Sequence, residues 1–170
     1  MDYKQQSDQG CLGVDLLYLF DSEPTREEER AILSEGLFRL RENYTLGCLM
    51  AFLDKYPDKA VTVYVDNKYF LDILKQWVRH PRIKMVHKKN DAKLLGALDS
   101  PFIVYVDNNI TDRWTHLPHF MMVTGATDKF YSAFDPWGGK RIKVSKDRLL
   151  NGIELLRDHV KVCPFVITAS

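Results

Sequence analysis

The stretch His119-Phe-Met-Met-Val-Thr-Gly-Ala-Thr-Asp-Lys-Phe-Tyr-Ser-Ala-Phe-Asp-Pro-Trp-Gly-Gly139 constrains the fold more than any other part of the chain. Phe120 to Val123 is one apolar run and Phe130 to Phe134 is a second. Gly125 to Lys129, between them, supplies turn residues, so the segment reads as a β-hairpin. A turn centred on Thr127 sets His119 directly opposite Asp135. Opposite β-carbons in an antiparallel ladder lie about 4.5–5.5 Å apart, close enough for a carboxylate to meet an imidazole. A histidine held by a carboxylate is two-thirds of a nucleophilic triad. A strand-start histidine on the surface and an Asp-Pro turn would produce the same letters. The deciding question is whether the chain also supplies a nucleophile.

Helices precede this hairpin. Cys11 to Phe20 is apolar nearly all round, as in a buried helix, with Asp8 as its expected N-cap. Thr25 and Glu28 match a capping box, and Arg26 to Arg41 follows as an amphipathic helix with acids leading and bases trailing. Thr45 to Tyr56 reads as a third helix. The middle of the chain alternates. Val61 to Val65 and Ile83 to His87 read as strands, with helices over 68–79 and 91–98. Pro101 to Val106 is a strong strand, and 110–118 is a loop leading to His119. Arg141 to Val144 adds a meander strand, and Ser145 starts a helix. Val162 to Thr168 is a last strand, at an edge or starting late because of Pro164. The layout is α+β, in one domain spanning 1–170.

Composition excludes several classes of function. The 24 lysines and arginines nearly balance the 23 acidic residues. No electrostatic case for nucleic acid or an anionic membrane arises from that. No apolar run approaches the ~18 residues of a membrane span. Three cysteines without a Cys-x-x-Cys pair oppose both a disulfide framework and a structural zinc site. The polar start MDYKQQSDQG is no signal peptide, so either the protein stays in the cell or a leader has been lost; with these cysteines, reduced thiols in a cytoplasmic setting are the simplest expectation.

Among the cysteines, Cys48 sits mid-helix among leucines and Cys163 in an apolar strand, where both read as packing residues. Cys11 stands at a helix start, where the dipole favours a thiolate; position alone fits a small core residue equally well. His116 and His119 have no third ligand nearby, so no metal is expected. His80, His87 and His159 sit among charged residues and read as solvated. Gln5, Gln6 and Gln9 precede Cys11, and a glutamine amide can donate into an oxyanion hole beside the nucleophile's own N–H.

Glutamine, cysteine at a helix start, then histidine and carboxylate on a late sheet is the papain-type order. More closely, the chain resembles the papain-like peptidases that cut bacteriocin leaders after a double glycine, and their stand-alone relatives. The likeness rests on Gln5 six residues before Cys11, on His119 heading an apolar strand, and on Asp135-Pro136 sixteen residues after that histidine. It covers roughly 1–20 and 100–140; residues 25–95 match no motif. Leu12 stands where that family usually has glycine, and no transmembrane or ATPase portion implies peptide export.

The resemblance implies a papain-like fold, N-terminal helices packed on a C-terminal antiparallel sheet, and a cysteine peptidase or amidase acting on a peptide or amide substrate. Cys11 is then the nucleophile, His119 the general base, Asp135 its orienter and Gln5 an oxyanion donor, with no cofactor. Two alternatives stand beside it. One is a transglutaminase-like acyltransferase using the same triad. The other is a non-catalytic binding module that keeps the pocket, suggested by Leu12.

Overall fold

The computed structural model describes residues 1–112 and 115–170. Among these, six α-helices and seven strands form one α+β unit. The helices are α1 (Cys11–Leu19), α2 (Arg26–Arg39), α3 (Tyr44–Lys55), α4 (Lys68–Trp77), α5 (Ala92–Gly96) and α6 (Lys146–Asp158). The strands are β1 (Val61–Val65), β2 (Ile83–His87), β3 (Phe102–Asp107), β4 (Pro118–Ala126), β5 (Phe130–Asp135), β6 (Lys140–Ser145) and β7 (Phe165–Ala169). Of the loop expected over 110–118, residues 113 and 114 lie outside the described residues.

All seven strands join one sheet in the order β2-β1-β7-β3-β4-β5-β6. The expected C-terminal antiparallel sheet is therefore only part of it. β1 and β2, from the middle of the chain, extend the same sheet, and they pair in parallel through α4. β7 does start late, after Pro164, but it is no edge strand. It pairs with β1 on one side and β3 on the other. Pro164 lies just before the ladder, so its missing N–H costs no inter-strand bond.

Strand alternation divides the core in two. Tyr105, Phe120, Met122 and Phe134 face the cluster built with α1 and α3. Val106, Met121, Val123 and Ala133 face the cluster built with α6. Because both faces are covered, every residue of β3 is buried. α1 is apolar all round for the same reason and is buried along its whole length. Its N-cap is Gly10 rather than Asp8, and no side chain caps it.

α2 keeps its Thr25 cap, which accepts from the Glu28 N–H at 3.2 Å. The expected apolar stripe of this helix is not what buries it. Only Glu29, Ile32 and Gly36 are buried, while Phe38 is 81% exposed. The reason is the crossing with α3. A β-carbon on Gly47 would stand 2.1 Å from the Gly36 carbonyl oxygen, so the two backbones touch where side chains would otherwise sit.

Candidate active site

The β4–β5 hairpin forms, with its register centred one residue later than a Thr127-centred turn would give. Met122 pairs with Phe134 and Val123 with Ala133; an irregularity before Gly125 then shifts the ladder. His119 and Asp135 are consequently diagonal neighbours rather than directly opposite. Their side chains still share a face, because two residues along a strand restore the same side. His119 Nε2 lies 2.9 Å from Asp135 Oδ1, and both residues are fully buried. The same Oδ1 accepts the Trp137 backbone N–H at 3.1 Å. The Trp137 ring stands edge-on to the imidazole, 6.0 Å between centroids.

Cys11 is the first residue of α1. Its sulfur faces the backbone N–H of Phe120, the residue after His119. That donor and the N–H groups at the helix start favour a thiolate, but burial outweighs them and pushes the thiol up to about 12. Repulsion from Asp15 adds to the rise. The expectation of a thiolate favoured by position alone is thus corrected. The dipole is present, yet at 3% exposure desolvation dominates.

Gln5 is buried, whereas Gln6 and Gln9 are exposed. The Gln5 backbone N–H donates to the Pro136 carbonyl at 2.9 Å, tying the N-terminal segment to the loop after Asp135. That approach needs Gly139, whose φ is +60° and whose added β-carbon would meet the Lys4 backbone nitrogen at 2.9 Å. The Gln5 amide Nε2 donates to the Ser7 carbonyl at 2.7 Å rather than toward Cys11, leaving its second N–H for another acceptor.

Three residues of this site escaped the sequence reading. Glu29 of α2 is fully buried and gathers the N-terminal loop. Its carboxylate accepts the N–H of Gln6 at 2.8 Å, the N–H of Ser7 at 2.8 Å and the Tyr3 hydroxyl at 2.9 Å. Asp15, a lone acid inside the apolar run of α1, is fully buried as well. Trp137 walls two clefts. One is polar, about 350 Å³, beside Gln5 and Ser7. The other, about 410 Å³, is lined by Gln9, Tyr44, Tyr105, Leu117 and Pro118. Cys11 lines neither cleft, although Tyr44 and Tyr105 stand close enough to feel its charge.

The remaining candidates take structural roles. Cys48 and Cys163 are free thiols pushed up to about 12 and about 11, mainly by burial. His116 Nδ1 meets Asp107 Oδ2 at 2.8 Å, and its ring lies 4.5 Å from that of His159. His80 pairs with Asp54 at 3.2 Å rather than standing free in solvent. No group of three metal-ligating side chains occurs among the described residues. Among the described residues, no helix is long and apolar enough to cross a membrane.

No known family model matches the chain, and no curated protein matches it significantly. Chemically, the site combines a buried imidazole bound to a carboxylate through Nε2, a thiol on α1 against the backbone N–H of Phe120, and an amide-bearing loop docked on Pro136.

Proposed function

We propose that the protein is a papain-like cysteine peptidase or amidase, working in the cytoplasm, where thiols stay reduced. The observation that carries this reading is the buried His119–Asp135 pair with Cys11 at a helix start against Phe120. Asp135 engages Nε2, so Nδ1 is the nitrogen that takes the Cys11 proton. A thiol otherwise neutral at physiological pH then attacks a carbonyl as thiolate. The Cys11 N–H and the second N–H of Gln5 bind the oxyanion. His119 returns its proton to the leaving amine, and water releases the acyl group by the reverse sequence.

Trapping with iodoacetamide followed by peptide mapping tests the assignment. Exposure alone favours Cys163, which is only half-buried, over Cys11. Labelling of Cys11 ahead of Cys163 at neutral pH, and its loss in His119→Ala, is the expected result. Cys163 or Cys48 reacting first in the folded protein would defeat the reading.

A further inference from the structure

Asp15 is a buried acid that packing does not explain. Neither of its carboxyl oxygens has a hydrogen-bond partner, and its exposure is 0%. Leu12, Val14, Leu16, Leu17 and Leu19 of the same helix are all buried, so the surroundings accept apolar side chains. An unpartnered polar group in such a place costs stability, on the order of 1–3 kcal/mol. Residues that cost the fold this much cluster at functional sites.

Its position is specific. Asp15 lies one helical turn after Cys11 and three residues before Tyr18, on one face of α1. Cys11 meets β4 at Phe120. Tyr18 meets β5 at Phe134, ring edge to face at 5.0 Å, next to Asp135. Asp15 therefore sits between the thiol and the carboxylate of the candidate triad, close enough to be repelled by each.

The other buried titratable groups nearby are Tyr18 on α1, Glu29 on α2, Cys48 on α3, Tyr105 and Asp107 on β3, His119 on β4 and Asp135 on β5. Asp107 is turned to His116 and Glu29 to the N-terminal loop. Among the described buried residues, His119 alone can become a cation. During catalysis it faces the Cys11 thiolate and the Asp135 carboxylate. A third buried negative charge would have no counterpart.

We propose that Asp15 is a positioning residue of this site: as a neutral acid it leaves Asp135 the one carboxylate serving His119, and its ionisation suppresses the Cys11 thiolate. The proposal rests on the peptidase reading above. Burial, and then repulsion from Asp135, pushes Asp15 well above the ordinary carboxylate range. The folded protein therefore binds a proton that the unfolded chain releases near pH ~4. The contribution of Asp15 to stability is full below that value and is lost as pH rises toward its folded pKa.

Two measurements test it. The first follows the Asp15 carboxyl ¹³C shift of the unmodified protein against pH. The expected result is a protonated signal at neutrality; titration near pH ~4 overturns the proposal without any mutation. The second compares iodoacetamide labelling of Cys11 against pH in the unmodified protein and in Asp15→Asn. The midpoint for thiolate formation should fall by about one unit or more in the variant, because Asp15 ionises as pH rises toward the thiol's midpoint and its charge then opposes the thiolate, whereas asparagine stays neutral throughout. A carboxyl with only a structural role would change the unfolding temperature and leave the labelling midpoint in place, which also overturns the proposal. If Cys11 resists labelling in both proteins, the peptidase reading falls and Asp15's role falls with it. If Cys11 labels with identical profiles, only the role of Asp15 falls.

Discussion

Glu29 Oε1 and the backbone nitrogen of Ser7 stand 2.8 Å apart, so a side chain of α2 holds the loop that carries Gln5. The same carboxylate takes the Gln6 N–H and the Tyr3 hydroxyl, and a β-carbon on Gly10 would fall 1.9 Å from it. These are charge-assisted bonds to a fully buried carboxylate, which makes them strong and makes their loss expensive.

Glu29→Ala should therefore destabilise the protein by about 1–3 kcal/mol, since the part-buried N–H groups of Gln6 and Ser7 and the Tyr3 hydroxyl lose their acceptor. Glu29→Gln should cost less, because one amide oxygen remains to accept. Urea denaturation of both variants measures this. Equal midpoints for Glu29→Ala and the unmodified protein would show that the loop does not depend on Glu29.

Asp135→Asn should keep the fold and lower turnover by roughly 10³–10⁴. Asparagine matches the carboxylate in shape and can still accept the Trp137 N–H, now held at 3.1 Å. It lacks the charge that stabilises an imidazolium and can reverse the tautomer by donating to Nε2. Steady-state kinetics on a peptide amide substrate, beside a circular dichroism melt, reads both quantities. Full turnover in a folded Asp135→Asn protein would remove Asp135 from the mechanism.

Gln5→Ala should give a folded protein whose kcat falls by about 10²–10³ while KM changes little, because an oxyanion donor acts where charge develops. Gln9→Ala is the comparison. Gln9 is exposed on the rim of the apolar cleft, so its loss should act on KM more than on kcat. The opposite pattern, with Gln9 controlling kcat, would put the oxyanion hole in the wrong place.

The sequence alone determined the elements and the face shared by the His119–Asp135 pair. Short continuous apolar runs bounded by turn residues marked β4 and β5, and the Thr25 and Ser145 caps marked two helix starts within their own neighbourhoods. The hairpin register expected from the turn was two residues off at His119. The pair formed all the same, because a two-residue slip keeps the face. Other features depended on residues far apart in the chain. β7 lies at the centre of the sheet because β1 and β3 reach it from opposite sides. Gln5 is fixed by Glu29 and Pro136 through the loop they hold, at separations no local pattern reports. The charge state of the site followed the same rule. A cysteine at a helix start reads as an activated thiol, but desolvation is set by everything packed around it, here α3, β3 and β4 as well as Asp15 one turn away. Periodicity and capping act over a few residues and are written in the sequence; burial and charge repulsion act through space and are decided only when the chain has closed around them.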